Sequence, residues 1–214
     1  MISYKDRTEA GQVLSRELDE IQFETRPLIL SIPNGGIPVG VEIAESLKAE
    51  LDAIIVRKLQ VPGNTEAGFG ALTSQGSLIL NDALVRRIGL NEQQIDLVIK
   101  QTREQIERRK ADYEGLVGIV DLSNRDVILV DDGLASGYTM MAAIESVKKF
   151  IPRSILVAVP TASSSAMDLV GGAVERVVCP RIESGFIFAV ANAYRNWYDV
   201  PDREVVDILR SFRN

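Results

Sequence analysis

Residues 127–139, VILVDDGLASGYT, constrain this chain more than any other stretch. Four apolar residues, Val127 to Val130, run directly into Asp131 and Asp132. Gly133, Leu134, Ala135, Ser136, Gly137, Tyr138 and Thr139 follow, and a helical pattern then begins. A short apolar run bounded by turn residues reads as a central strand of a parallel sheet. Acids at the C-terminal end of such a strand stand at the crevice where open α/β sheets take their ligands. Small residues let backbone N–H groups come close to an anion, and the next helix turns its positive end to the same place. Ser136 and Thr139 add hydroxyl donors. A phosphate cradle beside two acids suited to a diol is the chemistry of a phosphorylated ribose.

The rest of the chain supplies such a sheet. Asp6-x-x-Glu9 resembles a capping box, and Ala10, Val13, Leu14, Leu18 and Ile21 recur at helical spacing, so a helix is expected over 7–21. Strands are expected at 28–32, 53–56, 127–131, 155–159 and 174–179. Helices are expected around Val39 to Leu47, over 138–150 and near 163–171. Strand, helix, strand with short links is the signature of a parallel sheet. Residues 57–80 break the pattern with Pro62-Gly63-Asn64, Gly68, Gly70 and Gly76, and read as a mobile loop and a hairpin. Asn91 caps a long amphipathic helix over 91–113, with Ile95, Val98, Ile99, Ile106 and Tyr113 on the covered face. Arg103, Arg108, Arg109 and Lys110 on that helix read as a solvated face. Aromatic residues (Phe186, Phe188, Tyr194, Trp197, Tyr198) crowd 182–200, and Asp202 caps a last helix over 202–212.

Composition narrows the chemistry. With 24 basic and 30 acidic residues the chain carries a net charge of −6, which argues against a nucleic-acid or membrane surface. There is no histidine, so Ser-His-Asp and Cys-His catalysis and histidine metal sites are excluded. The one cysteine, Cys179, forms no intrachain disulfide and reads as a small core residue. No apolar run reaches membrane-spanning length, and the first ten residues carry no apolar signal core; the expectation is a cytoplasmic protein.

The segment 127–139 resembles the 5-phosphoribosyl-1-pyrophosphate (PRPP) motif of type I phosphoribosyltransferases. The resemblance implies an α/β fold of that type, a central, mostly parallel sheet flanked by helices. It implies that Asp131 and Asp132 hold the ribose hydroxyls and that the loop from Gly133 through Leu134, Ala135, Ser136, Gly137 and Tyr138 to Thr139 wraps the 5′-phosphate. Asn34-Gly35-Gly36-Ile37-Pro38-Val39 is similar to the pyrophosphate loop of the orotate enzymes. Taken alone, Gly35-Gly36 is equally a tight turn before a helix. Arg57-Lys58, at the end of the second expected strand, resembles the basic pair of the same enzymes, which neutralises pyrophosphate; solvated charges closing a strand are the other reading. Those enzymes add further basic residues and a histidine in the following loop, where this chain has none; Arg86 and Arg87 are candidates to compensate. Glu66 is a candidate acid or base, or an exposed loop carboxylate. Ala135 stands where 6-oxopurine enzymes carry an aspartate, which disfavours hypoxanthine and guanine.

The chain as a whole resembles a branch of predicted phosphoribosyltransferases. Its landmarks are Asp6-Arg7-x-Glu9-Ala10-Gly11, Gly35 to Val39, Val56-Arg57-Lys58, Pro62-Gly63-Asn64, Gly70-Ala71, the PRPP motif, Val178-Cys179 and Asp202-x-Glu204-Val205. The resemblance implies one domain over 1–214, with 59–115 as an inserted loop, hairpin and helix and 180–200 as a small hood. Tyr194, Trp197 and Tyr198 either stack on a planar acceptor there or fill a core. It further implies a Mg²⁺ cofactor, which Asp131 and Asp132 meet only indirectly through PRPP, a small-molecule acceptor, and a homodimer by analogy. The expected activity is phosphoribosyl transfer to a nitrogenous acceptor with release of pyrophosphate. The alternative is a PRPP sensor that performs no transfer, and a third reading is hydrolysis of PRPP.

Overall fold

The computed structural model describes residues 3–118, 121–185 and 188–213, with the backbone alone at Thr65 and Glu66. Asp6 opens the first helix, α1 (Arg7–Leu18), its carboxylate accepting the Glu9 N–H at 3.0 Å. Next come β1 (Leu28–Ser31), α2 (Gly36–Ser46), β2 (Glu50–Ala53), β3 (Val56–Val61), β4 (Asn64–Thr73), β5 (Leu78–Leu80), α3 (Asp82–Ile88) and α4 (Glu92–Asp112). Then β6 (Asp126–Val130), α5 (Tyr138–Lys148), β7 (Ser154–Ala158), β8 (Thr161–Ser163), α6 (Ser164–Gly171), β9 (Arg176–Val178) and β10 (Arg181–Glu183) lead to a 3₁₀ turn (Val190–Ala193) and α7 (Asp202–Arg213).

Five strands form one sheet in the order β2-β1-β6-β7-β9, and every pairing in it is parallel. Alternate residues of each strand serve opposite faces. Ile29, Ile128 and Leu156 face a core shared with α1, α2, α4 and α7. Leu28, Leu30, Val127, Leu129, Ile155 and Val157 face a second core built with α5 and α6. Covering both faces is what makes these strands continuously apolar in sequence. Among the described residues no helix is long and apolar enough to cross a membrane.

Two expectations change. The run Ala53 to Val56 is not one strand. The parallel strand β2 is Glu50–Ala53, the chain leaves the sheet at Ile54 and Ile55, and Val56 opens β3 in a separate antiparallel sheet, β3-β4-β5. Ile54, Ile55 and Val56 are all buried at the crossover, so their apolarity carries no sign of the break. Asp52, polar in sequence, sits inside β2 because the Ala53 and Gly118 N–H groups donate to its carboxylate. Residues 57–80 form this continuous antiparallel sheet, with register shifts around Gln60.

Candidate active site

Because the five strands run parallel, their carboxyl ends share one edge, and there lies a cleft of about 470 Å³. It gathers Asn34 and Gly35 after β1, Arg57 and Lys58 on β3, Asp131 and Asp132 after β6, and Thr139 on α5. Arg57 and Lys58 therefore reach it from the hairpin rather than from the end of a parallel strand. The Glu66 side chain lies outside the described residues, as does Phe186.

The loop after the acids divides in two. Leu134 is buried, and its backbone is tied on both sides: its N–H donates to the Thr161 carbonyl at 2.9 Å, and its carbonyl accepts from the Ser163 N–H at 3.0 Å. It braces the loop against β8 and turns its side chain into the second core. From Ala135 to Thr139 the N–H groups have no acceptor among the described residues. Gly137 caps α5 at φ 78°, a left-handed conformation that costs glycine nothing. The arrangement leaves donors unengaged at the positive end of α5, whose Thr139 lines the cleft, as an anion site requires.

Asp132 is held from two directions. The Arg7 guanidinium donates from Nε at 2.9 Å and from Nη2 at 2.7 Å, both to Oδ2. The same oxygen lies where a side chain on Gly35 would be, 1.9 Å from an ideal Cβ. The Tyr194 hydroxyl donates to the Asp132 carbonyl at 2.7 Å. Burial and then the neighbouring Asp132 raise the Asp131 carboxyl well above the usual carboxylate range. Burial also raises Asp132, with Arg7 opposing it.

Beside the acid pair, the Pro33–Asn34 peptide is cis. The Asn34 side chain is fully engaged: Nδ2 donates to the Val200 carbonyl at 2.7 Å and to Asp202 Oδ1 at 2.9 Å, and Oδ1 accepts from the Tyr113 hydroxyl at 3.2 Å. The Gly36 N–H is committed to the Ile32 carbonyl and the Asn34 carbonyl accepts from the Ile37 N–H, which leaves the Asn34 and Gly35 N–H groups without an acceptor among the described residues. Asp202 begins α7 and also accepts from Tyr113 at 3.0 Å and from Arg109 at 3.0 Å. Burial works against its charge, but these donors outweigh it and keep the Asp202 carboxyl below the usual range. Arg57 donates to Gln105 Oε1 at 3.1 Å; burial, then Arg109, lowers its pKa. Arg57, Lys58 and Arg109 thus form a cationic wall in the same cleft as the acid pair.

Residues 5–191 match the family model described as the phosphoribosyl transferase domain. The chain belongs to this family. Two Mycobacterium tuberculosis proteins, "Putative phosphoribosyl transferase MT0597" of strain CDC 1551 / Oshkosh and Rv0571c of strain ATCC 25618 / H37Rv, are each 34% identical over 206 residues. Those matches cover 96% of this chain and 46% of each relative, so the chain spans about half the length of the curated relatives it matches. The crystal structure of TT1426 from Thermus thermophilus superposes with a TM-score of 0.80 at 32% identity, over 99% of both chains. A Staphylococcus aureus hypoxanthine phosphoribosyltransferase shares the fold at a TM-score of 0.50 and 12% identity, over 92% of this chain and 84% of that one. The fold is therefore the type I phosphoribosyltransferase fold, a central parallel sheet flanked by helices.

Within this phosphoribosyltransferase fold the structure brings Arg7 to the site and overturns the solvated placement expected of Arg109. Arg109 turns into the cleft, while Arg103, Arg108 and Lys110 are exposed as expected. Arg86 and Arg87 are exposed on α3 and do not border the cleft. Tyr194, Trp197 and Tyr198 surround Arg7, with its guanidinium 5.6, 4.2 and 5.5 Å from their ring centres. Tyr194 is buried and offers no open face to an acceptor. A sequence signal for Arg7 existed: it shares the covered stripe of α1 with Ala10, Leu14 and Leu18, and a cation on a buried stripe requires an acid partner. Among the described residues no group of three or more His, Cys, Asp or Glu side chains could hold a metal by itself. Two adjacent carboxylates do fit Mg²⁺ delivered on a phosphate ligand, because Mg²⁺ keeps its waters and takes few protein oxygens.

Proposed function

We propose that the protein transfers the 5-phosphoribosyl group of PRPP to a nitrogenous acceptor, with nucleobases the first class to test, and releases pyrophosphate. The observation that carries the reading is one cleft that holds an acid pair, Thr139 and the cationic wall of Arg57, Lys58 and Arg109, with the unengaged N–H groups of Ala135 to Thr139 in the loop that leads from the acids to α5. In this reading the N–H groups take the 5′-phosphate, with Ser136 and Thr139 as hydroxyl donors. Asp131 and Asp132 accept hydrogen bonds from the ribose hydroxyls. The main chain of Asn34 and Gly35, with the cations, holds the pyrophosphate and stabilises charge as the C1–O bond breaks. Mg²⁺ carried on PRPP withdraws charge from the leaving group. The acceptor nitrogen forms the new bond to C1, and Glu66 is the candidate to take its proton. Ala135 supplies no carboxylate for a purine N7, so 6-oxopurines are poor acceptors.

Calorimetric titration of the wild type with PRPP, with and without Mg²⁺ and beside ATP, NAD and ribose 5-phosphate, tests the site. Selective Mg²⁺-dependent PRPP binding, lost in Asp131→Asn/Asp132→Asn, is the expected result; a folded protein that ignores PRPP ends the reading. The lack of any Lys or Arg between residues 59 and 80 favours a second reading, a PRPP sensor. Pyrophosphate release that requires an acceptor supports the transferase and excludes a pure sensor.

A further inference from the structure

We propose that Arg7 is a positioning residue that orients the Asp132 carboxylate toward the ribose diol, an inference that rests on the PRPP reading above. Arg7 and Asp132 are 125 residues apart in sequence and nearly enclosed, with 6% and 14% of their side chains exposed. Both Arg7 hydrogen bonds end on Oδ2, and that oxygen also fills the space in front of Gly35. A carboxylate fixed by one oxygen can turn neither its plane nor its other oxygen. Oδ1 takes no bond from Arg7 and is then the atom assigned to a ribose hydroxyl, its direction set before any ligand arrives. Preorganised acceptors of this kind gain affinity because no rotation is lost on binding.

The guanidinium is itself fixed. Its Nη1 donates to the Tyr198 carbonyl at 2.9 Å, and its Cζ lies over the Trp197 ring, 4.2 Å from the ring centre. A planar fork can make the Asp132 bonds, the carbonyl bond and the ring contact at once, and an ammonium cannot. The Asp6 cap sets where α1 begins, and so where Arg7 points. A simple ion pair would need neither the ring beneath the cation nor the Tyr194 hydroxyl on the Asp132 carbonyl. The Arg7 and C-terminal contacts together lock the backbone and side chain of a single acid.

The test compares affinities for ribose 5-phosphate and 2-deoxyribose 5-phosphate, which differ only in the 2-hydroxyl, one member of the diol. Calorimetry is run on wild type, Arg7→Lys and Arg7→Met, with melting curves to establish folding. The wild type is expected to prefer the ribose form. In the variants that preference falls about tenfold, as loss of one charge-assisted hydrogen bond implies, while affinity for the deoxy sugar stays within about twofold. A merely structural role would weaken both ligands alike. Trp197→Leu, which keeps both ionic partners and removes the ring below the guanidinium, is the milder variant if the Arg7 substitutions do not fold, and the same direction is expected. Preference retained in the folded variants overturns the role of Arg7 alone. A wild type without preference overturns the diol reading of the acid pair as well.

Discussion

At the scale of single residues, the acid pair couples function to stability. Burial and Asp132 raise the Asp131 carboxyl, so the folded protein holds a proton there that the unfolded chain has already released. A raised acid favours folding least at high pH: its contribution falls as pH rises from about 4 through the raised native value. Asp131→Asn has no charge to bury. It is expected to melt above the wild type at about pH 8, with the gap narrowing toward about pH 4, while PRPP binding is lost. Melting curves across that range check this, and a gap independent of pH would remove ionisation as its cause. Gly35 makes the complementary point about space. A methyl group there meets Asp132 Oδ2, so Gly35→Ala must displace the carboxylate that Arg7 holds. Turnover is expected to fall about a hundredfold, as misplacement near 1 Å does, in a protein that still folds; steady-state kinetics decide it.

At the scale of elements, α4 is divided between stability and chemistry. Its start carries a reciprocal capping box between Asn91 and Gln94, far from the cleft. Asn91→Ala is expected to cost about 1 kcal/mol in denaturant unfolding and to leave PRPP affinity unchanged. Its end carries Arg109, which pairs with Asp202 at 3.0 Å and borders the cleft with Arg57. Arg109→Ala is expected to weaken PRPP binding about tenfold or more and pyrophosphate binding alike, because a charge-assisted contact to an anion is lost. Affinities for both anions unchanged from wild type would exclude Arg109 from the cationic wall. The same element shows why some of the site was hidden in the sequence. Arg109 shares the covered stripe of Ile106 and Tyr113, so helical spacing separates it from Arg103, Arg108 and Lys110, and only packing against β3 and α7 supplies Asp202 and the cleft it borders. β3 was hidden for a different reason: a buried crossover and a buried strand are both apolar, so Ile54 to Val56 read as one element.

At the scale of the whole molecule, a ligand that binds only the folded state raises its melting temperature by mass action. PRPP at about a hundredfold excess over its dissociation constant adds about 2.7 kcal/mol, or about 5–10 °C for a chain of this length. Thermal shift with and without Mg²⁺ measures this, and Asp131→Asn/Asp132→Asn is expected to show no shift. The gain requires both halves of the cleft to be assembled, and that assembly is long-range. Asn34 is tied to Asp202, Tyr113 to both, and Arg7 to Asp132 and the Tyr198 carbonyl.

What the chain determined by itself is whatever local order encodes. Apolar runs bounded by turns specify buried parallel strands, and two acids followed by a small-residue loop and a helix specify the anion cradle, because neighbours along the chain build each of these. The α1 stripe even marked Arg7 as covered. Tertiary structure alone decided its partner, the pairing of Arg109 with Asp202, the use of Asp202 as a latch rather than a cap, and the ring of Tyr194, Trp197 and Tyr198 around a cation. Those contacts join residues 79 to 191 positions apart. Their energies depend on burial and direction, which exist only once the sheet has brought the distant segments to one edge.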